Sequence, residues 1–155
     1  MYVDCSCGSR HWGHLGAAGL LLTDPDRTGV VLQHRSPRVH QGDTWGVPGG
    51  AIDPGEDAVA AALREAHEEA GIEAGAVTVL GTIRGTEHPE WSYTYVLAEA
   101  SRPSDPVLVG GAMRVEALQT TWINLELVES LDLQPLLRAD WPRLHQSLGS
   151  AAATF

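Results

Sequence analysis

The stretch Gly50–Ile72, GAIDPGEDAVAAALREAHEEAGI, constrains this chain more than any other. It contains the signals for a helix start and a helix stop, with three glutamates crowded near the stop. Asp53 is placed to cap the first free amides, Pro54 suits the first helical position, and Glu56 stands where a capping-box acid reaches back. Gly71 fits the left-handed position just past the end, and an apolar Ile72 follows it. In between, Val59, Ala62, Leu63, Ala66 and Ala70 recur at helical period and predict a buried stripe. Most of these residues are small, so whatever packs on them comes close.

The charge pattern of this helix opposes its stability. Glu65, Glu68 and Glu69 stand at i, i+3 and i+4, so they share one part of the surface and repel. They also lie at the helix C-terminus, where the dipole disfavours negative charge. Clustered hard oxygen ligands suit Mg²⁺ or Mn²⁺. Arg64, four residues before Glu68, is the adjacent counter-charge and can hold a glutamate in orientation. The alternative for the three glutamates alone is a solvated acidic face.

The wider pattern decides between these. Gly50, five residues, Glu56, seven residues, Arg64-Glu65, then Glu68-Glu69 and Gly71-Ile72 resembles the signature box of the Nudix hydrolase family at every charged and glycine position. Ala66 departs from it, standing where the pattern has a bulky aliphatic residue. The resemblance implies an α/β fold, the Nudix α/β/α sandwich with a mixed sheet between helices. It also implies hydrolysis of a nucleoside diphosphate linked to another moiety, with Mg²⁺ or Mn²⁺ held by Glu65, Glu68 and Glu69. Arg64 and Glu56 would support these ligands, and a carbonyl oxygen of Gly49 or Gly50 would face the metal. The general base would be one of the three glutamates or a late acid, for which Glu116 is the first candidate and Glu87 the second. A non-catalytic Nudix-fold module that binds a nucleotide and regulates something else is the alternative function. Oxidised dGTP, ADP-ribose, dinucleoside polyphosphates and NADH all remain open as substrates.

Composition narrows the partners. The chain of 155 residues is long enough for a single core, and 43% hydrophobic residues is a globular content. A net charge of −10 argues against a nucleic acid polymer as partner and leaves a small anionic nucleotide, since a metal can reverse the local field. All ten basic residues are arginine, which excludes a lysine-dependent phosphate loop and Schiff-base chemistry. No apolar segment near the start is long enough for a signal peptide or a membrane span, so the expectation is a cytoplasmic monomer or homodimer that does not contact membranes.

Along the chain, residues 1–14 form an N-terminal arm, 15–149 the catalytic domain and 150–155 a frayed tail. Cys5, Cys7, His11 and His14 offer four ligands in the arm for a tetrahedral Zn²⁺, resembling at most a remnant of the zinc ribbon some family members carry. The other reading is two reduced thiols packing a flexible arm. His14–Thr23 and Val30–Arg35 read as a hairpin around Asp24-Pro25-Asp26. Arg35 lies at the end of its second strand, where an arginine in the family often touches the substrate; the other reading is a surface arginine at a strand end. Trp45-Gly46-Val47-Pro48-Gly49-Gly50 leads into the box, and its paired glycines allow backbone closed to other residues. Ala76–Arg84 and Trp91–Glu99 are further strands, the second alternating Trp91, Tyr93, Tyr95 and Leu97 on one face. Tyr93 is the candidate there for substrate contact, against ordinary packing of a half-buried sheet face. After a Pro- and Gly-rich loop come a strand Leu118–Asn124, a short helix Leu125–Leu131 and a helix Gln134–Ser147 with an apolar stripe.

Overall fold

The computed structural model describes residues 2–4, 10–12, 15–35, 42–86, 88, 90–101 and 117–154, of which 2–4, 10–12, 117–119 and 150–154 are described as backbone only. The strands in order are β1 (Tyr2–Asp4), β2 (Arg10–Trp12), β3 (Ala17–Thr23), β4 (Gly29–Arg35), β5 (Trp45–Gly46), β6 (Gly49–Ala51), β7 (Val77–Arg84), β8 (Tyr93–Ala100) and β9 (Ala117–Asn124). Helix α1 (Ala58–Ala70) follows β6, and α2 (Pro135–Thr154) closes the order after a 3-10 segment Leu125–Ser130. Strands β1 and β2 make a separate two-stranded antiparallel ribbon.

The main sheet runs β5-β4-β3-β8-β7, with β6 added on β3 and β9 on β4. Its β3–β8 pairing is parallel and the others are antiparallel, so the sheet is mixed as expected. The predicted β3–β4 hairpin is tighter and shorter than its sequence suggests. Only Thr23 and Val30 pair across it. The Asp24 carboxylate clamps the turn by accepting from the amides of Thr28 and Gly29 at 2.8 and 2.9 Å. Beyond it the strands part, and β6 pairs with the first half of β3.

Side-chain alternation divides the core in two. Ala18, Leu20, Leu22, Val31, Val96 and Ala98 face α1, where Ala61, Ala62, Ala66 and Ala70 meet them. Leu21, Leu32, Tyr95 and Leu97 face α2, which contributes Leu137, Trp141, Leu144 and Leu148. The result is the α/β/α sandwich, thin on the alanine side and thick on the tryptophan side.

Three expectations change. Helix α1 begins at Ala58, not at Pro54, and Asp57 is its cap, accepting from the Ala60 amide at 2.8 Å. Asp53–Glu56 closes a turn instead, because Gly55 takes a φ of +84°, which a helix does not allow. The stop is as read: Gly71 has φ +69°, its amide donates to His67 and that of Ile72 to Ala66. The buried stripe is rotated, with Val59 and Leu63 half-buried and Glu65 and Glu69 taking the inward positions. Helix α2 runs to Thr154, so most of the supposed tail is helical backbone. Among the described residues no helix is long and apolar enough to cross a membrane.

The α2 layer is tied to the sheet by a buried carboxylate. Asp140 is 0% exposed and accepts from the Tyr95 hydroxyl at 2.8 Å, the Thr86 amide at 2.9 Å and the Thr86 hydroxyl. Arg143 adds its guanidinium at 3.2 Å. A buried charge stays only where donors surround it, and each lost donor is costly. Tyr95→Phe is therefore expected to lower unfolding stability by about 1.5–3 kcal/mol in urea titrations while leaving the far-ultraviolet circular dichroism unchanged.

Candidate active site

The site is assembled where the end of α1 passes over the glycine strand β6. The turn before α1 prepares it. Asp53 donates its amide to Glu56 Oε1 at 3.0 Å, so Glu56 does reach back, although across a turn and not a helix cap. Arg64 on α1 then donates to both oxygens of Glu56, from Nε at 2.8 Å and from Nη2 at 2.9 Å. This two-point contact is the strong, directional form of an arginine–carboxylate pair. Nη2 also reaches the Ala51 carbonyl at 3.1 Å, which fixes the guanidinium against β6. Nη1 donates to Glu65 Oε1 at 2.9 Å and lies 3.5 Å from Glu68 Oε1. The Arg64 hydrogen bonds, helped by the Asp53 amide, lower the Glu56 carboxyl from about 4.5 to about 2. The same contacts push the guanidinium further above its ordinary range.

The glutamates differ in surroundings. Glu65 is 8% exposed and Glu69 4%, while Glu68 is half-exposed. Glu65 lies against Gly50 so closely that a Cβ there would fall 2.7–2.9 Å from its carboxylate atoms. Glu69 accepts from the side-chain amide of Gln33, on β4, at 2.5 Å. Among the described residues, no three His, Cys, Asp or Glu side chains are already placed to hold a metal ion. The arrangement is instead the carboxylates of Glu56, Glu65 and Glu68, with the exposed Asp53 at 3.3 Å, around the Arg64 guanidinium, and Glu69 beside them on the Gln33 amide. That group is strongly anionic, two of its acids are buried, and all its donors are hard oxygens. Such a set fits a divalent oxygen-seeking cation and fits poorly a soft metal.

The glycine pair is pinned to β3. Gly50 pairs with Ala18 and Gly49 with Gly19, and the Leu20 amide donates to the Pro48 carbonyl at 2.8 Å. On the face away from α1, a Cβ at Gly49 would stand 2.7 Å from the Tyr93 hydroxyl, and one at Gly19 only 2.1 Å from it. Tyr93 thus fills the space that glycine leaves. Burial, and after it the Glu69 charge, pushes its phenol up, so it stays protonated. The Arg35 charge also acts on this phenol, in the opposite sense. Arg35 sits half-buried at the end of β4, its amide bonded to the Thr44 carbonyl at 2.8 Å. Tyr93 packs on Tyr95 at 4.8 Å between ring centres, and Trp45 on His34 at 5.0 Å.

Glu65, Glu68, Glu69, Arg64, Glu56, Gly49 and Gly50 are therefore gathered in one region, with Tyr93 and Arg35 beside it. Glu116 and Glu87, the late acids, lie outside the described residues. So do Cys5, Cys7 and His14 of the zinc expectation, and of His11 only the backbone is placed, opposite Val3. Two residues of the site escaped sequence reasoning. Gly19 was hidden in a buried apolar run. Gln33 carried a signal: it shares the inward register of Val31, a place where a polar side chain needs a reason.

Comparison with known proteins agrees with the fold. The model of the NUDIX domain matches residues 13–144. A Bifidobacterium longum protein named "Nucleoside triphosphate pyrophosphatase/Nudix hydrolase fusion protein" is 38% identical over 97% of this chain, which spans only 32% of that relative. A Mycobacterium tuberculosis protein named "Putative 8-oxo-dGTP diphosphatase 3" is 39% identical, covering 92% of this chain and 67% of its own length. The crystal structure of a Nudix hydrolase from M. smegmatis, RenU, superposes with a TM-score of 0.82 at 39% identity, covering 97% of this chain and 96% of that one.

The Arg64–Glu56 pair has a pH signature. The folded carboxyl of Glu56 is depressed, so its contribution is complete above about 4.5 and disappears as pH falls toward about 2. Glu56→Gln should be less stable than the parent near neutral pH. The difference should shrink through that acid window, as read from urea midpoints at several pH values.

Proposed function

The chain belongs to the Nudix family, and from that premise we propose that it hydrolyses the pyrophosphate bond of a nucleoside diphosphate derivative with the help of Mg²⁺ or Mn²⁺. The observation that carries this reading is the burial of Glu65 against Gly50 and of Glu69 on Gln33, with Arg64 holding Glu56, Glu65 and Glu68 together. Like charges brought together in buried positions repel, and a divalent cation among them relieves that repulsion.

Glu65, Glu68 and Glu69 would hold the cation, with a carbonyl oxygen of Gly49 or Gly50. When bound, it would neutralise the diphosphate and acidify water. The chain's own part is positioning and charge, which is most of what phosphoryl transfer requires. Arg64, itself fixed by Glu56 and the Ala51 carbonyl, orients Glu65. Arg35 supplies positive charge for the phosphate chain, and the protonated Tyr93 hydroxyl is a donor beside the glycine pair. The base that takes the water's proton is one of Glu65, Glu68, Glu69 or Glu116. Of the candidate substrates, an oxidised deoxyguanosine triphosphate is the first to test, because the M. tuberculosis relative carries that name.

A panel of oxidised dGTP, ADP-ribose, dinucleoside polyphosphates and NADH, assayed with Mg²⁺ or Mn²⁺ for monophosphate or phosphate release, tests the activity. Metal-dependent release on any of them is expected, and chelation should abolish it. Binding without turnover across the panel would favour a regulatory module instead. Glu69→Gln should keep the fold and lose activity by about 100-fold or more, since even outer partners of metal ligands are worth about 10–100-fold. An undiminished Glu69→Gln enzyme would refute the assignment.

Gly50→Ala tests the close approach. The added methyl must displace the Glu65 carboxylate, and misplacement by about 1 Å costs on the order of 100-fold in rate. Gly149→Ala, where a Cβ meets nothing, is the matched control and should be fully active.

A further inference from the structure

Gln33 is an amide in the middle of a buried strand. It is 1% exposed. Strand alternation turns it, with Val31, toward α1. A leucine or methionine fits such a place with no polar group to satisfy. A buried glutamine brings two donor hydrogens and an acceptor, and buried polar groups are almost always paired. One donor is used, from Nε2 to Glu69 Oε2 at 2.5 Å. The carbonyl oxygen Oε1 is buried and, among the described residues, accepts no hydrogen bond. Turning the amide over gives no relief, because it would set that oxygen against the Glu69 carboxylate. The contact to Glu69 therefore determines the amide's orientation, and the orphaned acceptor is its consequence.

We propose that Gln33 is a positioning residue for the cation: its amide hydrogen holds Glu69 in the orientation in which that carboxylate would meet Mg²⁺ or Mn²⁺. The proposal rests on the reading that Glu69 helps hold the cation. A carboxylate that must meet a metal needs its plane fixed, and a hydrogen bond from behind does this. The donor is neutral, so it orients Glu69 without cancelling the charge the cation needs. A lysine or arginine at position 33 would orient the acid and neutralise it together.

The test is a double-mutant cycle on the full chain, read as Mn²⁺ affinity by electron paramagnetic resonance titration. Parent, Gln33→Leu, Glu69→Gln and the double variant are compared, with thermal melting followed by circular dichroism. Gln33→Leu should weaken Mn²⁺ binding by about 10-fold or more. Because Gln33 acts through Glu69, adding Gln33→Leu to Glu69→Gln should weaken it no further. The Mg²⁺ concentration for half-maximal activity should rise with Gln33→Leu, while the nucleotide KM moves little. If Gln33→Leu does not fold, Gln33→Asn, whose amide is one methylene short, replaces it in the same cycle. Mn²⁺ affinity within about twofold of the parent overturns the proposal, and so do additive losses, which mean a structural role independent of Glu69. If Glu69→Gln alone leaves Mn²⁺ affinity unchanged, the metal reading itself fails and takes this one with it.

Discussion

The site depends on how closely α1 lies on the sheet. Its inward face is built from Ala61, Ala62, Ala66 and Ala70, and the strand beneath its end offers Gly49 and Gly50. With no large side chain between them, the helix comes down until the Glu65 carboxylate rests where a Gly50 Cβ would be. That approach does two opposed things. It gains dispersion contacts from close-packed backbone. It also takes two carboxylates out of water at the negative end of a helix, where they are least welcome. Ala66 sits at the centre of this. A bulky aliphatic there would fill more volume, but it would have to be accommodated between helix and strand.

The cost of the buried acids is spread over neutral and charged donors. Arg64 serves Glu56, Glu65 and Glu68 and is tied to the backbone of β6 through Ala51. Gln33 serves Glu69. Arg64 brings one positive charge to the three acids it serves, and the Gln33 amide brings none to Glu69. A sequence selected for stability alone would place basic residues, not Glu65, Glu68 and Glu69, toward a helix C-terminus. Local rules broken this consistently in one place point to a functional site.

What could be read from the sequence follows from what short-range patterns encode. The box spacing, the Gly71 stop and the alternation of β8 are local, and each appears in the fold. Helix α1 starts four residues later than Asp53-Pro54 suggests, because Gly55 takes a positive φ. Hydrophobicity alone puts Val59 and Leu63 on the inward face. Here Glu65 and Glu69 are inward, and the residues that make this tolerable, Arg64 and Gln33, come from another side of the helix and another strand. The parting of β3 from β4 after a single pair was equally invisible, since it depends on β6 competing for β3. Long-range pairing of this kind leaves no periodic trace.

The glycine pair also joins the two halves of the sandwich. Successive residues of a strand face opposite ways, so Gly50 meets Glu65 on the α1 side while Gly49 meets the Tyr93 hydroxyl on the α2 side. Tyr93 in turn packs on Tyr95, whose hydroxyl is bonded to the buried Asp140 of α2. Two aromatic rings thus stand between the buried acid of α2 and the glycine strand that Glu65 meets on its other face. The thick face of the molecule, otherwise ordinary hydrophobic core, is in this sense the backing of the strand on which the acidic face rests.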